Sequence, residues 1–124
     1  MGTRFGKGNV PRTGKPRARP SYYEQVYELV RLCPPGRVTT YGAIADALTL
    51  GTPRMAGYAM RHSFTAEPPV PAHRVVNREG RLTGKLHFAT PTAMREALER
   101  EGIAVEDDKV TDFAARFWDP AEAA

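Results

Sequence analysis

The amino-acid sequence predicts a mainly α-helical, winged-helix-like domain that contains a helix-turn-helix and a small β-hairpin. Three observations support this prediction. Apolar residues recur at helical spacing in several segments, two short helical segments are joined by a glycine-containing turn, and the run RVVNREGRLTG is typical of a hairpin. The chain has 124 residues, which is enough for one small domain.

The predicted domain spans residues 21–118. Residues 1–20 are rich in Gly, Pro, Lys and Arg and nearly lack aliphatic side chains, so they are expected to form a flexible basic arm. Residues 119–124 are expected to form a short tail. At the start of the domain, SYYE predicts a capping box between Ser21 and Glu24.

Five helical segments are predicted. The first has a stripe of apolar residues and ends at Pro34-Pro35-Gly36; the stripe is Tyr22, Val26, Leu29, Val30 and Cys33. Thr90-Pro91 begins the fourth helix, which Gly102 ends; its inward residues are Ala93, Met94, Ala97 and Leu98. A last short helix is expected around Phe113, Phe117 and Trp118.

The second and third helical segments form the predicted helix-turn-helix. Thr39 or Thr40 is the N-cap of the second helix, and Thr52-Pro53 begins the third with a cap and a proline at the first helical position. The inward residues are Ile44, Ala45 and Leu48, then Met55, Ala56, Ala59 and Met60. This pattern alone is weak evidence for DNA binding, because most helical hairpins bind no DNA. The hairpin that follows, turning at Arg78-Glu79-Gly80, would be the wing.

The distribution of charge favours a polyanionic partner on one face. The net charge is +4, with residues 31–87 at +5 and residues 88–124 at −5. Such asymmetry suits nucleic acid. An ordinary solvated surface with a basic arm explains the charge equally well.

Several classes of protein are excluded by composition. One cysteine cannot form an internal disulfide, and three scattered histidines have no zinc-like spacing, so neither a metal nor another cofactor is expected. No apolar run is long enough for a membrane span, and no signal peptide is recognisable. A cytoplasmic protein is therefore expected.

The stretch PVPAHRVVNREG contains the strongest candidate for chemistry. His73 and Glu101 could orient each other as in nucleophilic catalysis. No nucleophile accompanies them, because Ser63 and Thr65 lack a recognisable nucleophile elbow and Cys33 continues an apolar helix face. Taken alone, His73 is better interpreted as a histidine satisfied by backbone groups.

Two further residues have competing interpretations. Tyr41, in the first turn of the second helix, could serve in core packing. Arg54 begins the third helix, where a cation is mildly unfavourable because of the helix dipole. A partner outside the helix would explain that position, although an exposed, solvated arginine remains the simpler interpretation.

Four motifs in order carry a resemblance to a known family: GRVTTYGAIADAL, PRMAGYAM, PAHRVVNREGRL and MREALEREG. Over roughly residues 21–102, the chain resembles the C-terminal DNA-binding domain of the O6-alkylguanine-DNA alkyltransferases. That family has Pro-Cys-His-Arg-Val where this chain has Ala72 in place of the alkyl-accepting cysteine. The chain is therefore similar to the alkyltransferase-like branch, in which the acceptor is replaced.

The resemblance assigns DNA contacts to residues of the helix-turn-helix. It implies that Tyr41 presses on the phosphate and rotates the nucleotide outward, and that Arg54 fills the gap in the base stack. The full set of implied DNA-binding residues is Tyr41, Arg54, Thr40, Ala56 and Gly57.

The resemblance also implies a lesion pocket without an acceptor. His73 and Glu101 match the pair that would activate the thiol, and they are vestigial here. The implied pocket residues are Tyr41, Ala72, His73, Arg74 and Val75. Ser63 stands where the family usually has an asparagine that braces the loop, and the segment 60–72 is one residue longer than expected.

These implications lead to one expected function and two alternatives. The expected function is a non-enzymatic, monomeric sensor that docks in the minor groove and flips O6-alkylguanine out of duplex DNA. The sensor would hold the lesion for nucleotide-excision repair proteins. The alternatives are a Cys-to-Ala variant of an active alkyltransferase and a winged-helix transcription regulator.

Overall fold

The structure is a computed structural model that describes residues 20–123, so the predicted arm lies, apart from Pro20, outside the described residues. The mainly α-helical prediction is confirmed. The described helices are α1 (Ser21–Arg31), α2 (Tyr41–Ala47), α3 (Pro53–Arg61), α4 (Ala93–Arg100) and α5 (Phe113–Arg116). The described strands are β1 (Thr39–Thr40), β2 (Val75–Val76), β3 (Val105–Glu106) and β4 (Lys109–Val110).

Helix α1 begins without the predicted capping box. Pro20 occupies the N-cap position and Ser21 is already the first helical residue, so the Ser21 hydroxyl is not placed to cap the helix. The helix ends at Arg31, before the prolines that were predicted to stop it. Its buried face includes Tyr23 and Tyr27, whereas the predicted Tyr22 is only partly buried.

A first core cluster joins α1 to the predicted helix-turn-helix. Its buried residues include Val26, Tyr27, Val30, Ile44, Ala56, Ala59, Met60 and Ala72. The Tyr27 side chain is fully buried between helices, and its hydroxyl donates to the Ala59 carbonyl oxygen at 2.7 Å. A polar tip that would be costly to bury alone is therefore satisfied. This bond fixes the distance between α1 and α3.

Helices α2 and α3 pack against each other as predicted. The Thr40 side chain accepts a hydrogen bond from the Ala43 amide at 3.0 Å, which makes Thr40 the N-cap of α2. Pro53 is the first residue of α3, and Thr52 occupies the N-cap position without a side-chain hydrogen bond. The α3 residues that face the core are Ala56, Ala59 and Met60.

The predicted hairpin at RVVNREGRLTG was wrong. The turn is present, since the Asn77 Oδ1 accepts from the amides of Glu79 and Arg81, but the chain then enters a 3-10 helix at Thr83–His87. Strand β2 pairs instead in parallel with β1. Val75 and Val76 are both buried, and a strand covered on both faces suits parallel pairing within the core.

The small antiparallel hairpin lies later in the chain. Strands β3 and β4 pair with Val105 opposite Val110, and the turn between them places Asp107 and Asp108 in the left-handed region, with φ of 52° and 58°. Aspartate tolerates this conformation better than most residues. A second core cluster lies beside the hairpin: Val38, Val76, Leu82, Met94, Leu98, Ile103 and Val110.

The end of α4 brings Glu101 to a defined position. Thr92, and not the predicted Thr90, is the N-cap residue, because Thr90 and Pro91 form a preceding turn. At the other end, the Gly102 amide donates to Glu99 and the Ile103 amide donates to Leu98, with Gly102 at φ +87°. This Schellman arrangement confirms Gly102 as the stop.

The C-terminal segment packs onto the domain. The predicted last helix is present as α5, and the Trp118 amide then donates to the Val38 carbonyl at 2.7 Å. Residues Pro120–Glu122 form a 3-10 turn against α2, with Pro120 buried. Within residues 20–123, no helix is long and apolar enough to span a membrane. The same residues contain no cluster of side chains suited to a metal ion.

Substitution of two glycines should change stability in opposite directions. Gly102→Ala should lower the free energy of unfolding by about 1–2 kcal/mol, because an L-residue is strained at positive φ. An added Cβ meets nothing within 4 Å at either Gly102 or Gly57, so packing does not complicate the comparison. Gly57→Ala, inside α3, should raise stability by about 0.5–1 kcal/mol. Urea denaturation measures both, and equal effects would contradict the assignment of the α4 stop.

Candidate nucleic-acid interface

A cleft of about 370 Å³ lies beside α3. The residues that α3 contributes are Pro53, Arg54, Gly57, Tyr58, Met60 and Arg61. A second wall comes from the 3-10 helix at Thr83–His87 and the residue after it: Thr83, Gly84, His87 and Phe88. Tyr41, Phe64 and Ala72 complete the lining. Cavities of this size accommodate small organic ligands.

Two residues, Thr40 and Thr83, help to place Tyr41 in the cleft. It is the first helical residue of α2, directly after the Thr40 cap, and its ring is only partly exposed. Burial raises the pKa of Tyr41 above its ordinary value of 10.0, and a side-chain hydrogen bond with Thr83 opposes that increase. Tyr41 is therefore a neutral phenol at physiological pH.

Arg54 lies in the first turn of α3, where its side chain is exposed and lines the cleft. Among the residues that the structure describes, no carboxylate lies within ion-pair distance of Arg54. Its charge is thus available to a partner. Gly57, one turn later, also lines the cleft and adds no side chain.

Two of the predicted DNA-binding residues do not reach the cleft. Thr40 is 7% exposed and Ala56 is fully buried, so both serve the interior. The Thr40 hydroxyl caps α2, and Ala56 packs in the first core cluster. Their neighbours Tyr41 and Gly57 line the cleft instead.

Ala72 lies at the floor of the cleft. It begins the 3-10 helix Ala72–Arg74, is 9% exposed and belongs to the same buried cluster as Met60. Its amide donates to the Val70 carbonyl at 2.8 Å, which fixes the approach from the proline-rich loop. The only side-chain group at this position is a methyl, which is chemically inert.

His73, Arg74 and Glu101 form a tight hydrogen-bonded group behind the floor. His73 Nε2 lies 2.8 Å from Glu101 Oε2. Arg74 donates to both carboxylate oxygens, from Nε at 3.1 Å and from Nη2 at 2.6 Å. Arg74 Nη1 donates to the Cys33 carbonyl at 2.8 Å, so the group joins the ends of α1 and α4.

The predicted lesion pocket is therefore divided between two places. Tyr41 and Ala72 line the cleft, whereas His73, Arg74 and Val75 are absent from its lining. The predicted pairing of His73 with Glu101 is present. The contact of Arg74 with the same carboxylate was not predicted. Val75 is 1% exposed in β2, where it serves the core.

The electrostatics of this group stabilise a charged carboxylate. Burial would raise the pKa of Glu101, but hydrogen bonds from Arg74 and His73 outweigh it and lower the pKa to about 2. Burial raises the pKa of Cys33 to about 12, against the lowering effect of Arg74. The single thiol is thus protonated at neutral pH and unsuited to nucleophilic attack.

An aromatic and cationic part of the cleft was not predicted from the sequence. The Arg61 guanidinium lies 5.8 Å from the Tyr58 ring centroid, and the Phe64 and Phe88 rings meet edge to face at 4.9 Å. Tyr58 and Arg61 could have been found, because residues 54, 57, 58 and 61 share one face of a helix. The segment Thr83–His87 could not, because Thr83 and Gly84 were predicted to end the hairpin and no element was predicted for residues 85–87.

A family model agrees with this geometry. The model is described as the DNA-binding domain of 6-O-methylguanine DNA methyltransferase, and it matches residues 21–103. The chain belongs to this family. Two relatives are similar over most of their length: alkyltransferase-like protein 1 of Schizosaccharomyces pombe, 32% identical over 80% of this chain and 95% of the relative, and a DNA base-flipping protein of Escherichia coli, 31% identical over 88% and 83%.

Solved structures of the family show the same fold. The chain is similar to S. pombe Atl1 in complex with damaged DNA containing O6-carboxymethylguanine, with a TM-score of 0.66 and 31% identity over 79% of this chain and 94% of Atl1. It is also similar to a Mycobacterium tuberculosis family member, with a TM-score of 0.53 and 27% identity. That alignment covers 79% of this chain and 56% of the other.

The Glu101 group should make stability depend on acid pH. Because the pKa falls from 4.5 to about 2 on folding, the stabilisation is complete above about 4.5 and is lost as the pH falls towards 2. Between those values, the wild-type free energy of unfolding should fall by about 1–3 kcal/mol more than that of Glu101→Gln. Urea denaturation at a series of pH values measures this difference.

Glu106→Gln is the matched control, because it removes an exposed carboxylate from β3. Its pH profile should follow that of the wild type. Profiles of Glu101→Gln and wild type that run parallel down to pH 2 would show that the carboxylate gains no stabilisation from its partners.

Proposed function

We propose that the chain is a non-enzymatic sensor of DNA damage that binds O6-alkylguanine in duplex DNA and holds the flipped nucleotide in the cleft. The observation that carries the proposal is Ala72 at the cleft floor, between Tyr41 and the face of α3. A methyl there can contact an alkyl group but cannot accept it. The site retains recognition without transfer.

Nucleotide flipping accounts for the two polar residues at the cleft. A base within a duplex must leave the stack before a protein can enclose its O6 substituent, at a cost of about a few kcal/mol that is lowest for a poorly paired base. Tyr41 is placed to press on the backbone beside the target. Arg54 is exposed and has no ion-pair partner within residues 20–123, so it can enter the stack and occupy the space that the base leaves.

The face of α3 suits docking in the minor groove. Gly57 has no side chain to obstruct close approach, and its neighbours on that face include Arg54 and Arg61. Cations attract the phosphates without reading the sequence of bases. A sensor requires this kind of binding, because lesions occur in any sequence.

The names of the relatives support the same function. One is a DNA base-flipping protein, and Atl1 has been solved with O6-carboxymethylguanine in DNA. The similarity covers 94% of Atl1, so the two chains share the whole domain.

A lesion that is held but not repaired needs a second system to remove it. Nucleotide-excision repair removes a damaged segment without regard to the chemistry of the lesion. We therefore assign the complex of a monomeric sensor with its lesion the role of recruiting nucleotide-excision repair proteins.

Equilibrium binding to matched duplexes tests the proposal. Two duplexes of one sequence, with guanine or O6-methylguanine at a central position, are titrated with the chain and followed by fluorescence anisotropy. The lesion duplex should bind at least about tenfold more tightly, because its weak pairing lowers the cost of flipping. A 2-aminopurine beside the lesion should brighten as its neighbour leaves the stack.

The alternatives predict other outcomes of that experiment. Equal affinity for the two duplexes would contradict the sensor, and a preference for one sequence regardless of the lesion would favour a transcription regulator. Mass spectrometry of the incubated chain tests for transfer, and the mass should not change. A gain of one alkyl group by the chain itself would contradict the non-enzymatic function. A gain seen only in Ala72→Cys would show that the site transfers the group once an acceptor is restored, as the Cys-to-Ala alternative predicts.

Arg54→Ala should weaken lesion binding by about tenfold or more, because the extruded base then leaves an unfilled gap. Arg100→Ala is the matched control, since it removes one exposed positive charge from α4, outside the cleft. The control should lose far less affinity, and neither variant should change the melting temperature. Equal losses of affinity in the two variants would show that Arg54 contributes only its positive charge.

A further inference from the structure

The Tyr41 hydroxyl is held from two sides by the second wall of the cleft. Thr83 lines the cleft beside Tyr41, and its side chain has a lowering effect on the pKa of Tyr41. The Tyr41 hydroxyl also lies against the backbone of Gly84, where an added Cβ would be 3.0 Å from the hydroxyl oxygen. That distance is closer than Cβ atoms ordinarily approach, so only glycine leaves the hydroxyl in place.

Gly84 is required for space and not for backbone conformation. Its φ lies outside the left-handed region, unlike that of Gly80 or Gly102. An alanine could therefore adopt the backbone at position 84. The single conflict would be with the Tyr41 hydroxyl.

The wall that holds Tyr41 is itself anchored to the β3–β4 hairpin. The Leu82 amide donates to the Asp108 carbonyl oxygen at 2.9 Å, and the Leu82 side chain is 2% exposed. The Lys85 ammonium forms an ion pair with the Asp108 carboxylate. One residue of the hairpin turn thus holds the 3-10 helix on both sides of Thr83 and Gly84.

We propose that Thr83 and Gly84 are positioning residues, which hold the Tyr41 hydroxyl in the orientation that presses the nucleotide outward. The inference rests on the proposed function of the cleft. A tyrosine ring on the first turn of a helix can rotate about two side-chain bonds, and pressing on a phosphate requires one fixed orientation. The close approach of Gly84, together with the Thr83 side chain, supplies that orientation before DNA arrives, so less ordering of the ring opposes binding.

A double-mutant cycle tests the contact. Thr83→Val keeps the shape of the side chain and removes its hydroxyl, and it should reduce the preference for O6-methylguanine over guanine duplex by about 3- to 10-fold. In the Tyr41→Phe background the same substitution should have no further effect, because the partner is already missing. Thr83→Ser should restore the preference.

Gly84→Ala provides a second, steric cycle. It should lower the preference for the lesion when Tyr41 is present and be tolerated in the Tyr41→Phe background, where the clashing oxygen is gone. Thr111→Val is the control for loss of a threonine hydroxyl, since Thr111 lies outside the cleft. It should leave the preference unchanged.

A spectroscopic measurement on the free protein separates the contact from the function. In protein labelled with ¹³C at tyrosine Cζ, the Tyr41 resonance should shift in Thr83→Val and return in Thr83→Ser. Thr83 is exposed, so the melting temperature should change little in either variant.

Each outcome decides one of the two proposals. If the wild type binds both duplexes equally, the proposed sensor function is wrong. The interaction of Tyr41 with Thr83 is then tested only by the ¹³C resonance of Tyr41 in the free protein. Suppose that the wild type prefers the lesion, and that Thr83→Val reduces this preference by the same factor with Tyr41 and with Phe at position 41, or leaves it unchanged in both. Thr83 then does not act through Tyr41, and the inference is overturned. An unchanged Tyr41 resonance would also overturn it.

Discussion

The structure depends on the carboxylate of Glu101, which joins segments that are far apart in the chain. Its oxygens accept hydrogen bonds from Arg74 and His73, and Arg74 continues to the Cys33 carbonyl. The ends of α1 and α4 are thereby tied to the 3-10 helix that begins with Ala72. Because burial of an unpaired carboxylate would be costly, the hydrogen bonds from Arg74 and His73 stabilise Glu101 in this position. The floor of the cleft is fixed as a result.

Under the proposed function, this arrangement accounts for recognition without a reaction. In the family that the chain belongs to, a histidine and glutamate beside an acceptor suggest proton transfer. Here the position before His73 holds only a methyl, yet the hydrogen bonds of His73 and Glu101 are intact. Arg74 binds the same carboxylate, so the group has a structural role that is independent of any acceptor. An alanine at position 72 is therefore compatible with an intact architecture of the cleft.

The sequence predicted those features that are determined locally. Thr40 caps α2, Pro53 begins α3 and Gly102 ends α4 because each relies on the chemistry of one or two neighbouring residues. The location of the hairpin could not be predicted in the same way. Val75 and Val76 fit a strand in either a hairpin or a buried parallel pair, and only the distant β1 decides between them. Because the hairpin was predicted at the wrong place, the wall of the cleft that contains Thr83 and Gly84 was not predicted.

The two walls of the cleft consequently differ in how they are held. The α3 wall rests on a regular helix packed through Ala56, Ala59 and Met60. The second wall is a 3-10 helix, whose internal hydrogen bonds are of poorer geometry, so its position relies on outside contacts such as those from Asp108. A change in the β3–β4 turn can therefore alter the cleft without touching DNA. Under the proposed function α3 keeps its fit to the uniform shape of the duplex, so the choice of lesion should depend on this wall more than on α3.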